Sequence, residues 1–273
     1  MPESGFVDVE GGRLYFEVEG SGKPLLLIHG GLGSLRMWDG LVPALVERYR
    51  VIRFDTRGYG RTESEHVAFS NRADAAAVLA HVGAPSCHLI GQSRGGVIAL
   101  DFTLERPELV DSLVIAAGGA SGLVADVPPG TPLPPWEEME RLWESKAWDE
   151  LSELETQIWV DGWGQPTTRV PALRARVHGW ILDNYRAAHE EGIPQPLVPP
   201  AAERFGEVAV PTLVIVGALD EPSTVANGRT IASRIAGARL VEFPDAAHMV
   251  QLENAPRFTR VVSDFLAEVD AAT

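Results

Sequence analysis

The 273 residues carry 38 acidic against 23 basic side chains, a net charge of −15, with an isoelectric point near 4.9. That balance argues against nucleic acid, which needs a basic face to release counterions, and against docking on anionic membranes. With 45% hydrophobic and 22% charged residues, the chain reads as an ordinary globular protein, long enough for one α/β domain with or without an insertion.

Two short strand patterns open the chain, at residues 6–9 and 14–18, with Gly11-Gly12 as the hairpin turn between them. The unbroken apolar run Leu25-Leu26-Leu27-Ile28 follows and ends at His29-Gly30-Gly31. Such runs belong to strands buried on both faces, as in a parallel sheet. Helix and strand patterns then alternate. Residues 36–49 read as a helix, 51–54 as a strand, 72–81 as a helix, 88–90 as a strand, 95–106 as a helix and 113–117 as a strand. The alternation stops after Gly118-Gly119 and resumes with a strand at 212–216, a helix at 223–235, a strand at 239–243 and a closing amphipathic helix at 256–269. Strands alternating with helices imply βαβ units with right-handed crossovers. The expected fold is α/β, a parallel sheet flanked by helices.

The stretch 120–207 differs in composition. It holds six of the seven tryptophans, Trp136, Trp143, Trp148, Trp159, Trp163 and Trp180, and is rich in proline. Helical spacings such as Leu151, Leu154 and Ile158 recur within it. We expect an insertion of several helices over the sheet, with 1–119 and 208–273 forming the core. Most of these tryptophans should pack the insertion's own small core, and some should roof a pocket for an apolar or aromatic group.

The single cysteine, Cys87, rules out an internal disulfide and reads as a small buried residue. The opening Met1-Pro2-Glu3-Ser4-Gly5 has neither the basic nor the apolar region of a secretion signal, and no apolar run approaches the roughly 20 residues of a membrane helix. A cytoplasmic location is the expectation.

The chemistry centres on Gly91-Gln92-Ser93-Arg94-Gly95-Gly96. A serine between a buried strand and a helix, flanked by glycines, suits a sharp turn that projects its hydroxyl above the sheet. A serine hydroxyl is a weak nucleophile without a neighbouring base. Among seven histidines, His248 is the candidate, because it sits in the loop between the last strand and the last helix. His81 and His88 fall in regular structure, and His66, His178 and His189 have no motif around them and read as surface residues. His29 reads as a residue that stabilises its turn. The orienting carboxylate is expected at Asp220, at the carboxyl end of the 212–216 strand, where open α/β sheets build their sites. Glu221 and Asp245 are its rivals. The oxyanion donors should be the backbone N–H groups of Arg94 and Gly31. The loop at 29–33 lacks the Gly-Lys-Ser/Thr and dinucleotide glycine spacings, so a bound cofactor is not expected.

Taken together, His29-Gly30-Gly31, Asp55-Thr56-Arg57-Gly58-Tyr59-Gly60, Gly91–Gly96, Gly217–Asp220 and His248 closely resemble the α/β-hydrolase family over essentially the whole chain. The resemblance implies an eight-stranded, mostly parallel sheet, a helical cap after the sixth strand, no cofactor or metal, and an acyl-enzyme on Ser93 that water activated by His248 hydrolyses. It also implies a small-molecule substrate. Ser93 stands where the epoxide hydrolases and haloalkane dehalogenases of the family carry Asp. The expected reaction is cleavage of a carboxylic ester with an apolar or aromatic part. Two alternatives are a carbon–carbon hydrolase or enol-lactonase with the same three residues, and a ligand-binding receptor on this scaffold. His29-Gly30-Gly31 is similar to the carbon–carbon hydrolases of aromatic-ring degradation, from which Arg94 departs. Its side chain points either to the cap or to solvent.

Overall fold

The computed structural model describes residues 3–187 and 189–272. Eight principal strands form one sheet: β1 (Glu3–Val9), β2 (Gly12–Glu19), β3 (Lys23–Ile28), β4 (Tyr49–Phe54), β5 (Cys87–Gln92), β6 (Val110–Ala116), β7 (Thr212–Gly217) and β8 (Arg239–Phe243). Their spatial order is β1-β2-β4-β3-β5-β6-β7-β8, and a two-residue strand, Glu63–Ser64, pairs beside β2. The β1–β2 hairpin turns at Gly11, whose φ is +64°. β2 meets β1 and β4 antiparallel, and every pairing from β4 to β8 is parallel.

Alternation along β3 explains why its run is continuously apolar. Leu26 and Ile28 join the core on one face of the sheet and Leu25 and Leu27 the core on the other, all four fully buried. The first face is covered by α1 (Asn71–His81), α2 (Arg94–Glu105) and α6 (Pro222–Arg234). The second is covered by the closing helix α7 (Ala255–Ala272), whose Phe258, Val262, Phe265, Leu266 and Val269 make one buried stripe at helical spacing. Cys87 is buried and unpaired in the first core.

The helix expected over 36–49 does not form. Its place is taken by a 3₁₀ turn, Leu35–Trp38, and a single α turn, Val42–Leu45. Gly40 and Pro43 interrupt the stretch, and the apolar residues Trp38, Leu41, Val42 and Leu45 pack against the sheet from short turns instead. Elsewhere the expected elements are present with ends moved by one to three residues.

Between β6 and β7 lie α3 (Trp136–Glu144), α4 (Trp148–Thr156) and α5 (Pro171–Ala187). α4 continues without a break into a wider π-type turn, Gln157–Gly162. Val160, Leu173, Val177 and Ile181 of this insertion pack on Leu32, Met37 and Met249 of the sheet loops. Those contacts set the helices over the carboxyl ends of the central strands. Ala120, Leu197, Ala201 and Phe205, from the two ends of the stretch 120–207, pack into the first sheet core.

Candidate active site

Ser93 sits between β5 and α2 with φ +53° and ψ −121°, a conformation that strains a residue bearing a Cβ by about 1–3 kcal/mol. The surrounding glycines make that turn possible. A Cβ on Gly91 would lie 2.1 Å from the Gly95 carbonyl oxygen, and one on Gly95 would lie 2.2 Å from the Ile28 oxygen. Strand and helix therefore approach to backbone contact at the elbow.

His248, in the loop after β8, brings Nε2 to 2.7 Å from Ser93 Oγ and Nδ1 to 2.8 Å from Asp220 Oδ2. The serine hydroxyl thus donates to one ring nitrogen while the other donates to the carboxylate. Asp220, fixed at the end of β7, also accepts the Glu221 N–H at 2.8 Å through Oδ1. Burial raises its carboxyl above the ordinary value, opposed by the charge and hydrogen bond of His248. Of the two rival carboxylates, one is engaged elsewhere and the other is exposed. Glu221 caps α6, accepting from Ser223 N–H, Thr224 N–H and Thr224 Oγ1. Asp245 is exposed.

His29 is fully buried, with Nδ1 2.8 Å from the Gly30 carbonyl and Nε2 accepting the Thr56 N–H at 3.0 Å. Burial pulls its pKa down to about 3, so it is a neutral strut for the loop carrying Gly31. The more tightly packed glycine there is Gly30, where a Cβ would lie 2.1 Å from Gln92 Oε1. At Gly31 a Cβ would meet only ordinary contacts, Tyr59 Oη at 3.4 Å and Arg94 Cδ at 3.9 Å. The Arg94 N–H opens α2, and both it and Gly31 border the cavity above Ser93.

That cavity, about 730 Å³, lies between the sheet and the insertion. Trp143, Trp148 and Trp159 line it with Tyr59, Tyr185 and Ile181, so three of the six tryptophans of the insertion face it. The Trp159 ring lies 4.6 Å from the His248 ring, and Trp136 backs it at 5.9 Å. The Arg94 side chain turns into the cavity wall. Its Nη1 donates to Thr56 Oγ1 at 2.8 Å and its Nη2 pairs with Glu191 at 2.5 Å, with the guanidinium over the Tyr59 ring. His189, read from sequence as a surface residue, is exposed but borders the cavity.

Sequence motifs did not point to the residues that hold the His248 loop. Gln92 Nε2 donates to the His248 carbonyl at 3.1 Å. Glu253 accepts the Ala247 N–H at 2.8 Å and pairs with Arg169 at 2.5 Å. Arg169 also donates to the carbonyls of Val160, Asp161 and Asp245. This guanidinium ties the π-type turn that carries Trp159 to the loop that carries His248. The hints in the sequence are the place of Gln92 beside Ser93 and the proximity of Glu253 to His248.

A family profile, the alpha/beta hydrolase fold, matches residues 23–255. The chain belongs to the α/β-hydrolase family. This α/β hydrolase is 32% identical to the 2-hydroxymuconate semialdehyde hydrolase of Pseudomonas sp. (strain CF600), over 99% of this chain and 96% of that protein. It is 29% identical to a 2-hydroxy-6-oxononadienedioate/2-hydroxy-6-oxononatrienedioate hydrolase of Klebsiella pneumoniae, over 97% and 96%. Among solved structures, the enol-lactonase from Burkholderia xenovorans LB400 superposes with a TM-score of 0.77 at 24% identity, covering 96% of this chain and all of that one. A thermophilic esterase from Thermogutta terrifontis gives 0.78 at 24%, covering 98% and 99%. The hydrolase chain has no helix, among the described residues, long and apolar enough to cross a membrane. Also among the described residues, no group of three or more His, Cys, Asp or Glu side chains is arranged to hold a metal ion.

Proposed function

We propose that this hydrolase cleaves carboxylic esters of small or medium substrates with an apolar or aromatic part, through an acyl-enzyme on Ser93. The observation that carries this reading is the hydrogen-bonded series Ser93–His248–Asp220 opening onto a cavity walled by tryptophan and tyrosine. His248 takes the Ser93 proton as Oγ attacks the ester carbonyl, and Asp220 stabilises the imidazolium that forms. The N–H groups of Gly31 and Arg94 hold the developing oxyanion. His248 then protonates the departing alcohol, and water attacks the acyl group by the reverse path. The wall does not call for an anionic ester, because the arginine beside the nucleophile is already paired with Glu191. An anionic substrate would have to displace that carboxylate.

A second reading, carbon–carbon cleavage of a ring-fission dienone by the same residues, is favoured by the 32% identity to a 2-hydroxymuconate semialdehyde hydrolase. Rates measured side by side on aryl esters, an enol-lactone and a ring-fission dienone separate the two. Faster turnover of the dienone would overturn the ester assignment. A fluorophosphonate probe should label the wild-type protein and leave Ser93→Ala unlabelled. Labelling that survives Ser93→Ala would refute the nucleophile, and no labelling of the wild type would favour a receptor.

A further inference from the structure

We propose that Glu155 anchors a protonated amine on the substrate, so that this hydrolase acts on amine-bearing esters. The inference rests on the ester-hydrolase reading and adds the chemical class of the substrate. Glu155, on α4, is 8% exposed and lines the cavity. One of its oxygens accepts the Tyr185 hydroxyl at 2.7 Å. Among the described residues no arginine or lysine pairs with it, and burial pushes its carboxyl up to about 7. A buried carboxylate is ordinarily matched by a cation, because the unpaired charge is expensive to desolvate. Here the missing partner would come from the ligand.

Two further observations favour a cation over an anionic group. With Arg94 and Glu191 paired to each other, the remaining fixed charges of the lining are Glu144 and Glu155 against Lys146. Beside Glu155, Tyr185 stacks on Trp148 at 5.1 Å, with Trp143 edge-on to both. Aromatic faces attract ammonium groups. Geometry connects this site to the reacting bond. Glu155 and Trp159 are four residues apart on one continuous helical stretch, about 6 Å of rise, and Trp159 lies on His248. The proposed anchor therefore shares its helical stretch with the residue packed on the catalytic imidazole.

The test uses the full-length protein at pH 8, after fluorophosphonate labelling has shown a reactive Ser93. Phenethylammonium, 2-phenylethanol and 3-phenylpropanoate are titrated while intrinsic tryptophan fluorescence is followed, since three tryptophans line the cavity. The ammonium should bind at least tenfold more tightly than the alcohol, and the carboxylate most weakly. In Glu155→Gln, which keeps an acceptor for Tyr185, the ammonium advantage should fall to within about twofold. In parallel, the ratio of kcat/KM for p-nitrophenyl 6-aminohexanoate to that for p-nitrophenyl heptanoate should collapse towards one. Equal affinities in the wild type, or an advantage that survives Glu155→Gln, would overturn the inference. The wild-type ranking needs no variant to fold, and Glu155→Asp offers a second variant that should keep part of the advantage. Absence of labelling would instead count against the ester-hydrolase reading, so the two failures are distinguishable.

Discussion

Replacing Arg169 with methionine should destabilise the protein by about 3 kcal/mol, although the residue lies outside the Ser93–His248–Asp220 series. Its guanidinium makes hydrogen bonds to the carbonyls of Val160, Asp161 and Asp245 at 2.7 to 3.1 Å, and an ion pair to Glu253 at 2.5 Å. The Glu253 side chain is only 3% exposed, whereas Arg169 is 15% exposed. Removing the cation therefore strands a buried carboxylate, which costs about 3–5 kcal/mol. The three carbonyls can partly rehydrate at the exposed edge, so the lower end applies. Burial already raises the Glu253 carboxyl, and Arg169 opposes that. Without the arginine it should protonate more readily, and the loss should shrink at pH 5. Urea unfolding of wild type, Arg169→Met, Glu253→Gln and the double variant measures the effect, with a coupling on the order of 2 kcal/mol expected between the two sites. A loss below about 1 kcal/mol, or additive single effects, would refute the latch.

Other outcomes follow from the same geometry. Asp220→Asn should lower kcat by about four orders of magnitude, through loss of the imidazole's orientation and charge balance, with an unchanged far-UV spectrum; near-normal turnover would mean another carboxylate does the work. Gly95→Ala should destabilise by about 3 kcal/mol or more, since its Cβ meets the backbone at 2.2 Å, while Gly31→Ala should melt near the wild type. Thermal melts of the two variants in reversed order would refute this. Glu155 has a folded-state pKa raised to about 7 from 4.5. Its contribution therefore favours the folded state below about 4.5 and is lost as pH rises to 7. Glu155→Gln should accordingly gain on the wild type by on the order of 2–3 kcal/mol between pH 5 and pH 8, read as the difference in urea midpoints. No change with pH would show that the carboxyl is not held up by burial.

The parts of the molecule legible in sequence are those whose signal is local. The Ser93 elbow needs glycines at fixed offsets because strand and helix touch there. Asp220 and His248 each follow a strand pattern that marks the end of the sheet. The stretch 36–49 has apolar spacing that suits a helix, whereas Gly40 and Pro43 divide it into turns that pack on the sheet. The polar contacts between distant elements are illegible for another reason. Glu155 and Tyr185 meet from separate helices 30 positions apart, and Arg169 reaches Glu253 across 84 residues. Spacing within one element carries no trace of such meetings.

The π-type turn at Gln157–Gly162 gives the hydrolase a simple route to diversify. Each helical residue rotates the chain by about 100°, and a π turn holds one residue more than an α turn. Deleting a single residue there would restore the tighter winding and swing Trp159 off the His248 ring, leaving every sheet residue in place. Insertions and deletions of one residue at this turn could therefore reshape the substrate chamber while the hydrolytic centre is inherited unchanged.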